Sequence, residues 1–155
     1  MISSDRSLDL TKAARAASKL GRTVNLALSK ADLTPAGYRL LSYLVTGDTA
    51  AKVLAAKLSI SRPTVTATLD WLEPRGYVKR SPDPVDRRRV EISITSAGLE
   101  ALEEADRLVG ERLEEVLAYL DPDSRRRAIA ALMDLGDALN AYRARGFETE
   151  PDTAG

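Results

Sequence analysis

The spacing of apolar residues changes along this chain, and that change constrains the fold more than any other feature. Over residues 10–28, and again over 96–142, apolar side chains recur every three or four positions, which is the period of one helix face. Over residues 89–95 the period is two, which is typical of a strand. The side chains expected to point inward there are Val90, Ile92 and Ile94. The sequence therefore predicts a mainly α fold with a small β-hairpin.

Capping residues divide the middle of the chain into short helices. Thr34, Thr49 and Ser61 each stand where a helix N-cap is expected, and a proline follows Thr34 and Ser61 within the first turn. Gly47 is expected to end the first of these helices. Pro74 is expected to stop the last one, because it has no backbone donor. The pattern predicts one helix after Thr34. Two further short helices follow, one after Thr49 and one after Ser61, and a tight turn joins them.

A basic hairpin follows these helices. Two strands, at 77–80 and 89–95, flank a proline-containing loop at 81–86. The cations of this hairpin are Lys79, Arg80, Arg87, Arg88 and Arg89. Consecutive arginines repel each other, which raises the energy of the folded protein unless a polyanion lies beside them. The loop therefore favours contact with DNA. A loop that is merely solvated is the alternative.

The order helix, helix, turn, helix, basic hairpin is that of a winged helix-turn-helix, which we assign to residues 34–95. Helical regions at 8–33 and 96–146 surround it, and a disordered tail is expected at 147–155. In a winged helix-turn-helix the second short helix enters the major groove of DNA. The residues of that helix expected at DNA are Ser61, Arg62, Pro63, Thr64, Thr66 and Ala67. An ordinary amphipathic helix that exposes threonines is the alternative interpretation.

Composition excludes several classes of function. The 155 residues include no cysteine and no histidine, which excludes a disulfide framework, a thiolate nucleophile and the commonest metal ligand and general base. We therefore expect no cofactor and no catalysis. Carboxylate chemistry at Glu100, Glu103 and Glu104 stays open, although such charges usually form the solvated face of a helix. No apolar run approaches the roughly 18 to 20 residues that cross a bilayer, so a cytoplasmic protein without a membrane partner is expected.

The net charge of zero hides an uneven distribution. Residues 34–95 carry ten Lys and Arg against six Asp and Glu, whereas residues 96–155 carry seven against fourteen. A basic middle third agrees with double-stranded DNA as the partner. Solvated helix faces with uneven signs would give the same count.

Four stretches resemble the MarR family of multiple-antibiotic-resistance regulators, and the resemblance runs from the first helix to Tyr142. They are Leu33-Thr34-Pro35, Ser61-Arg62-Pro63-Thr64-Val65-Thr66, Leu72 through Gly76-Tyr77-Val78, and Asp86-Arg87-Arg88-Arg89-Val90 running on to Ile94-Thr95-Ser96-Ala97-Gly98. The last is similar to the family's wing signature, in which an Asp and an Arg two positions later precede alternating apolar residues and a Thr.

The resemblance implies roles for particular residues. Arg88 would enter the minor groove from the wing, and Asp86 would orient it by a charge-assisted hydrogen bond. The helix that begins after Ser61 would lie in the major groove. The regions 8–33 and 96–146 would form a homodimer whose two lobes bind a pseudo-palindromic operator.

The resemblance also implies a repressor that responds to a small-molecule effector bound between the DNA-binding lobe and the dimer helices. Tyr38, Tyr43 and Arg15 are candidates for that boundary. Ala67 and Trp71 occupy positions that are often basic in the family, so base reading here is expected to differ, and Trp71 favours packing over DNA contact. A non-specific architectural or protein-docking winged helix is the alternative function.

Overall fold

The structure is a computed structural model that describes residues 2–47, 54, 55, 58, 60–83 and 90–148, with side chains between residues 9 and 142 of those ranges. Five helices and two strands have defined bounds in this part of the chain. They are α1 (Ile2–Leu28), α2 (Pro35–Val45), α3 (Arg62–Leu72), β1 (Val78–Pro82), β2 (Val90–Ile94), α4 (Ser96–Leu117) and α5 (Pro122–Glu148). The strands form an antiparallel ribbon in which Val78 pairs with Ile94 and Pro82 pairs with Val90. The mainly α fold with a β-hairpin is thus confirmed.

The helix boundaries follow from their capping chemistry. The Thr34 hydroxyl accepts a hydrogen bond from the Gly37 N–H at 3.0 Å, and the Ser61 hydroxyl accepts one from the Thr64 N–H at 3.3 Å. Each bond satisfies a donor that has no partner inside the helix. The helix before Pro74 ends at Leu72, as predicted.

The core lies in the central lobe, which we define as α2, the helical segment with Leu54 and Leu58, α3, β1 and β2. Its largest fully buried side chains are Leu28, Leu40, Leu41, Leu54, Val65, Leu72 and Ile92. Leu28 comes from the last turn of α1, and Leu102 of α4 belongs to the same cluster. Each such side chain contributes roughly 1.5 to 3 kcal/mol by leaving water, so the lobe and the adjoining ends of α1 and α4 form one packed unit.

The terminal helices, α1, α4 and α5, extend beyond this core with apolar side chains in solvent. Tyr142 is 76% exposed and Met133 68% exposed. The other strongly exposed apolar side chains on α1 and α5 include Leu10, Leu135 and Leu139. A single chain therefore leaves much of the predicted apolar stripes uncovered. Among the described helices, none combines the length and the apolar character that crossing a membrane requires.

Three expectations need correction. Helix α1 begins at Ile2, six residues before the helical region expected at 8–33, and no proline or glycine interrupts those residues. Helix α5 continues to Glu148, so residues 147 and 148 are not part of a tail, and 149–155 lie outside the described residues. Val90 is 52% exposed, since it pairs with Pro82 at the end of the ribbon opposite the pair of buried Val78 with Ile94. The predicted N-cap Thr49 also lies outside the described residues.

Candidate nucleic-acid interface

One side of α3 is fixed in the core and the other is open. Val65, Thr68, Leu69 and Leu72 are buried, as the spacing of the three apolar residues predicts. The Thr68 hydroxyl is satisfied by donating to the Thr64 carbonyl at 2.8 Å. Burial on four positions of an eleven-residue helix fixes its rotation about its own axis.

The opposite side exposes the residues predicted to lie at DNA. Every one of them is solvent-exposed: Ser61, Arg62, Pro63, Thr64, Thr66 and Ala67. The Ser61 and Thr64 hydroxyls lie 2.8 Å apart, and the Thr66 hydroxyl donates to the Arg62 carbonyl at 3.1 Å. These contacts order the threonine side chains before any ligand arrives. The structure thus brings together a cation and three hydroxyls at the exposed N-terminal half of α3, where no residue from 61 to 67 is a carboxylate.

Two acidic side chains, one late on α3 and one at its C-cap, are paired with a strand residue. Arg80 of β1 donates through Nη2 to Asp70 Oδ1 at 2.7 Å, and its Nη1 lies 3.2 Å from Glu73 Oε2. The Arg80 backbone N–H also donates to Glu73 Oε1 at 3.3 Å. Sequence reasoning grouped Arg80 with the cations of the wing, and no local pattern indicates this pairing, because strand and helix meet only in the folded lobe.

Trp71 is half-buried and packs against the core, in agreement with packing as its main role. The Arg75 guanidinium lies 3.8 Å from the centre of its ring, a cation–π contact. Arg75 also approaches Asp32, which accepts a hydrogen bond from the Tyr77 hydroxyl at 2.8 Å. This hydrogen bond raises the pKa of Tyr77. The end of α3 is thereby linked to the turn that follows α1.

The base of the hairpin is joined directly to α4. Thr95 caps α4 by accepting from the Gly98 N–H at 3.0 Å, and its hydroxyl donates to the Gly76 carbonyl at 2.5 Å. Its backbone N–H donates to the Tyr77 carbonyl at 3.1 Å. A Cβ on Gly98 would lie 2.1 Å from that same carbonyl oxygen. The motif from Ile94 to Gly98 therefore has a physical meaning: one threonine holds strand and helix together, and one glycine lets them approach.

The four predicted wing residues, Asp86, Arg87, Arg88 and Arg89, lie outside the described residues. The described strands end at the register partners Pro82 and Val90, on either side of that segment. The roles given to the four residues remain predictions from the sequence.

Two tyrosines connect the central lobe to the terminal helices. The Tyr38 hydroxyl of α2 donates to Asp106 Oδ1 of α4 at 2.6 Å, and the Tyr43 hydroxyl donates to Asn140 Oδ1 of α5 at 3.3 Å. Burial, together with the hydrogen bond to Asp106, raises the pKa of Tyr38 well above its usual value. Both tyrosines lie at the boundary to which sequence reasoning assigned them, whereas Arg15 is exposed on α1.

The carboxylates considered for catalysis lie on the solvated side of α4. Glu100, Glu103 and Glu104 are exposed, and Arg107 holds Glu104 by two hydrogen bonds, which lower the pKa of that carboxyl. Among the described residues, no group of three or more acidic side chains is placed to hold a metal ion.

Comparison with known proteins agrees with this geometry. A family model described as the MarR family matches residues 31–89, from the turn before α2 to the residue before β2. The multiple antibiotic resistance protein MarR of Escherichia coli is 33% identical over 100 residues, which are 64% of this chain and 69% of that protein. The regulator FarR of Neisseria gonorrhoeae is 34% identical over 118 residues, 74% of this chain and 81% of its own. The chain belongs to the MarR family.

Solved MarR-family structures share the fold. The apo form of E. coli MarR superimposes with a TM-score of 0.70 at 27% identity, over 81% of this chain and 94% of that one. The transcriptional repressor CouR bound to a 23-mer DNA duplex gives a TM-score of 0.67 at 30% identity, over 80% of this chain and 88% of that one. The chain is thus a winged-helix transcriptional regulator of the MarR family.

Proposed function

We propose that the protein binds a pseudo-palindromic operator as a homodimer and represses transcription until a small molecule releases it. The observation that carries the proposal is the exposed, carboxylate-free half of α3 next to a basic hairpin. Solved relatives bound to DNA, CouR among them, support it. We assign no catalytic step to the chain. We place its action in the cytoplasm, where a repressor meets the chromosome.

On DNA, the N-terminal half of α3 would occupy the major groove. Arg62 can donate two hydrogen bonds to a guanine edge, and the threonine methyl groups can contact thymine methyl groups. Arg88 would enter the minor groove, with Asp86 fixing its orientation. The capping hydroxyl of Ser61 lies at the helix N-terminus, where exposed backbone N–H groups favour phosphate.

The homodimer is supported by the uncovered apolar side chains of the terminal helices. Monomeric soluble proteins rarely expose apolar patches above a few hundred Å², so residues such as Leu10, Met133, Leu139 and Tyr142 favour a second copy as their cover. A two-fold dimer presents two lobes, and a pseudo-palindrome with half-sites about one helical turn apart matches that symmetry.

An effector would act where the lobe meets the terminal helices. The hydrogen bonds from Tyr38 to Asp106 and from Tyr43 to Asn140 cross that boundary. A ligand that replaces these bonds in one orientation of the lobe relative to the terminal helices would shift the equilibrium toward that orientation. Thiol oxidation is excluded as the signal because the chain has no cysteine.

The test is a titration of the protein against the DNA that flanks its own gene and against scrambled DNA of equal length, at two salt concentrations. A preference of about a thousandfold for the flanking DNA supports a specific regulator. Equal, salt-sensitive binding to both supports a non-specific architectural protein instead. No binding to either refutes the DNA-binding proposal.

The wing is tested by one substitution in the same assay. Arg88→Ala should weaken specific binding by about 1 to 3 kcal/mol while the protein stays folded and dimeric. Arg126→Ala, which removes an exposed arginine from α5, is the matched control and should bind as the wild type does. Equal affinity of the Arg88 and Arg126 variants would remove Arg88 from the interface.

A further inference from the structure

Arg80 contacts one side of helix α3 over two turns, up to its C-cap. Its Nη2 reaches the Asp70 carboxylate at 2.7 Å and lies 3.5 Å from the Thr66 carbonyl, while Nη1 pairs with Glu73 at 3.2 Å. Positions 66, 70 and 73 are spaced by four and three, so they lie on one helix face. A single strand residue therefore contacts two turns of the helix.

The position of Arg80 in the strand is itself fixed. Its register partner Ile92 is fully buried, and its backbone N–H donates to Glu73. Its side chain is 28% exposed, less than those of Asp70 and Glu73. The guanidinium is consequently held between strand and helix and is not extended into solvent.

The two carboxylates would otherwise oppose binding to a polyanion. They follow the DNA-facing residues on the same helix by one to two turns, a distance comparable with the Debye length of about 8 to 10 Å, over which charges still interact. Without a cation beside them, they would repel nearby phosphates and each other. With Arg80 between them, their two negative charges are opposed by one positive charge at hydrogen-bonding distance.

We infer that Arg80 is a positioning residue for DNA binding: it holds α3 against the wing and offsets part of the negative charge of Asp70 and Glu73, and it does not itself contact the DNA. This inference rests on the proposed DNA-binding function. The inference predicts that removing Arg80 weakens DNA binding because Asp70 and Glu73 are then left without a cation beside them.

A rescue experiment on the full-length protein tests this. The dissociation constant for the DNA that flanks the protein's own gene is measured for four proteins. They are the wild type, Arg80→Gln, the double variant Asp70→Asn with Glu73→Gln, and the triple variant that combines all three changes. Arg80→Gln should lower affinity about tenfold, and the triple variant should return to within about threefold of the double variant. Circular dichroism melting at one protein concentration verifies that each variant is folded. Should Arg80→Gln fail to fold, Arg80→Lys, which keeps the charge but lacks the planar fork, takes its place and should show a smaller loss with the same rescue.

The outcomes separate this inference from the proposed function. If the wild type binds and Arg80→Gln binds equally well, the inference is wrong. If the triple variant stays as weak as Arg80→Gln, the loss of affinity does not come from the uncovered carboxylates and the inference is again wrong. If the wild type binds neither operator nor scrambled DNA, the proposed function fails and this inference fails with it.

Discussion

Replacing Gly98 by alanine tests the junction between the hairpin and α4. The added Cβ would lie 2.1 Å from the Tyr77 carbonyl oxygen and 2.9 Å from Ile94 Cγ1, and contacts below 3.0 Å force a shift. The carbonyl cannot retreat freely, because it accepts the Thr95 N–H at 3.1 Å. Helix α4 must therefore move away from the base of the wing.

The expected loss combines three terms. Overpacking costs about 1 to 3 kcal/mol, and weakening the two bonds from Thr95 to Gly76 and Tyr77 costs about 0.5 to 1.5 kcal/mol each. The higher helix propensity of alanine returns about 1 kcal/mol. Gly98→Ala should thus lower the free energy of unfolding by about 1 to 5 kcal/mol.

Urea unfolding at a fixed protein concentration measures this loss, since the stability of the proposed dimer would depend on concentration. Gly110→Ala is the matched control, because Gly110 lies in the same helix with nothing within 4 Å of its added Cβ. The control should gain up to about 1 kcal/mol from helix propensity alone. If both variants unfold at the same urea concentration, the close approach at Gly98 does not govern stability and our reasoning is refuted.

Three further variants probe a cap, a half-buried phenol and the core. Ser61→Ala should lower the free energy of unfolding by about 1 kcal/mol in urea, and an unchanged midpoint would contradict the role of Ser61 as N-cap. The raised pKa of Tyr38 means that above pH 10, its usual value, the unfolded chain loses this proton while the folded protein keeps it, so stability falls as the pH rises. Tyr38→Phe should fall less steeply between pH 9 and 11 in urea titrations, and equal slopes would count against the assignment. Leu54→Ala should cost about 2 to 5 kcal/mol because its side chain is fully buried, and a loss below 1 kcal/mol would be inconsistent with that packing.

Local chemistry explains what could be predicted from the sequence. Thr34, Ser61 and Thr95 cap helices where the pattern expected caps, because a side-chain oxygen that satisfies a free N–H is a local event. Pro74 stopped its helix for a similarly local reason. Periodicity also identified the buried side of α3, since a helix buries residues by their angular position alone.

Tertiary geometry explains what could not. Alternation assigned Val90 to the inner face of β2, but its burial depends on how far the ribbon extends beyond the core. The pairing of Arg80 with Asp70 and Glu73 depends on how strand and helix dock, which no spacing rule records. The family resemblance assigns roles to the residues of the wing, and Arg88→Ala will test the first of them.

The joint at Thr95 and Gly98 makes α4 a lever for the wing. A helix of 22 residues is about 33 Å long at 1.5 Å per residue. Because the base of the hairpin is bonded to the first turn of α4, a tilt of about 5° around the far end carries that base roughly 3 Å. This nearly equals the rise of about 3.4 Å between neighbouring base pairs. A small tilt of α4 would therefore displace the base of the wing by almost the separation of two neighbouring base pairs.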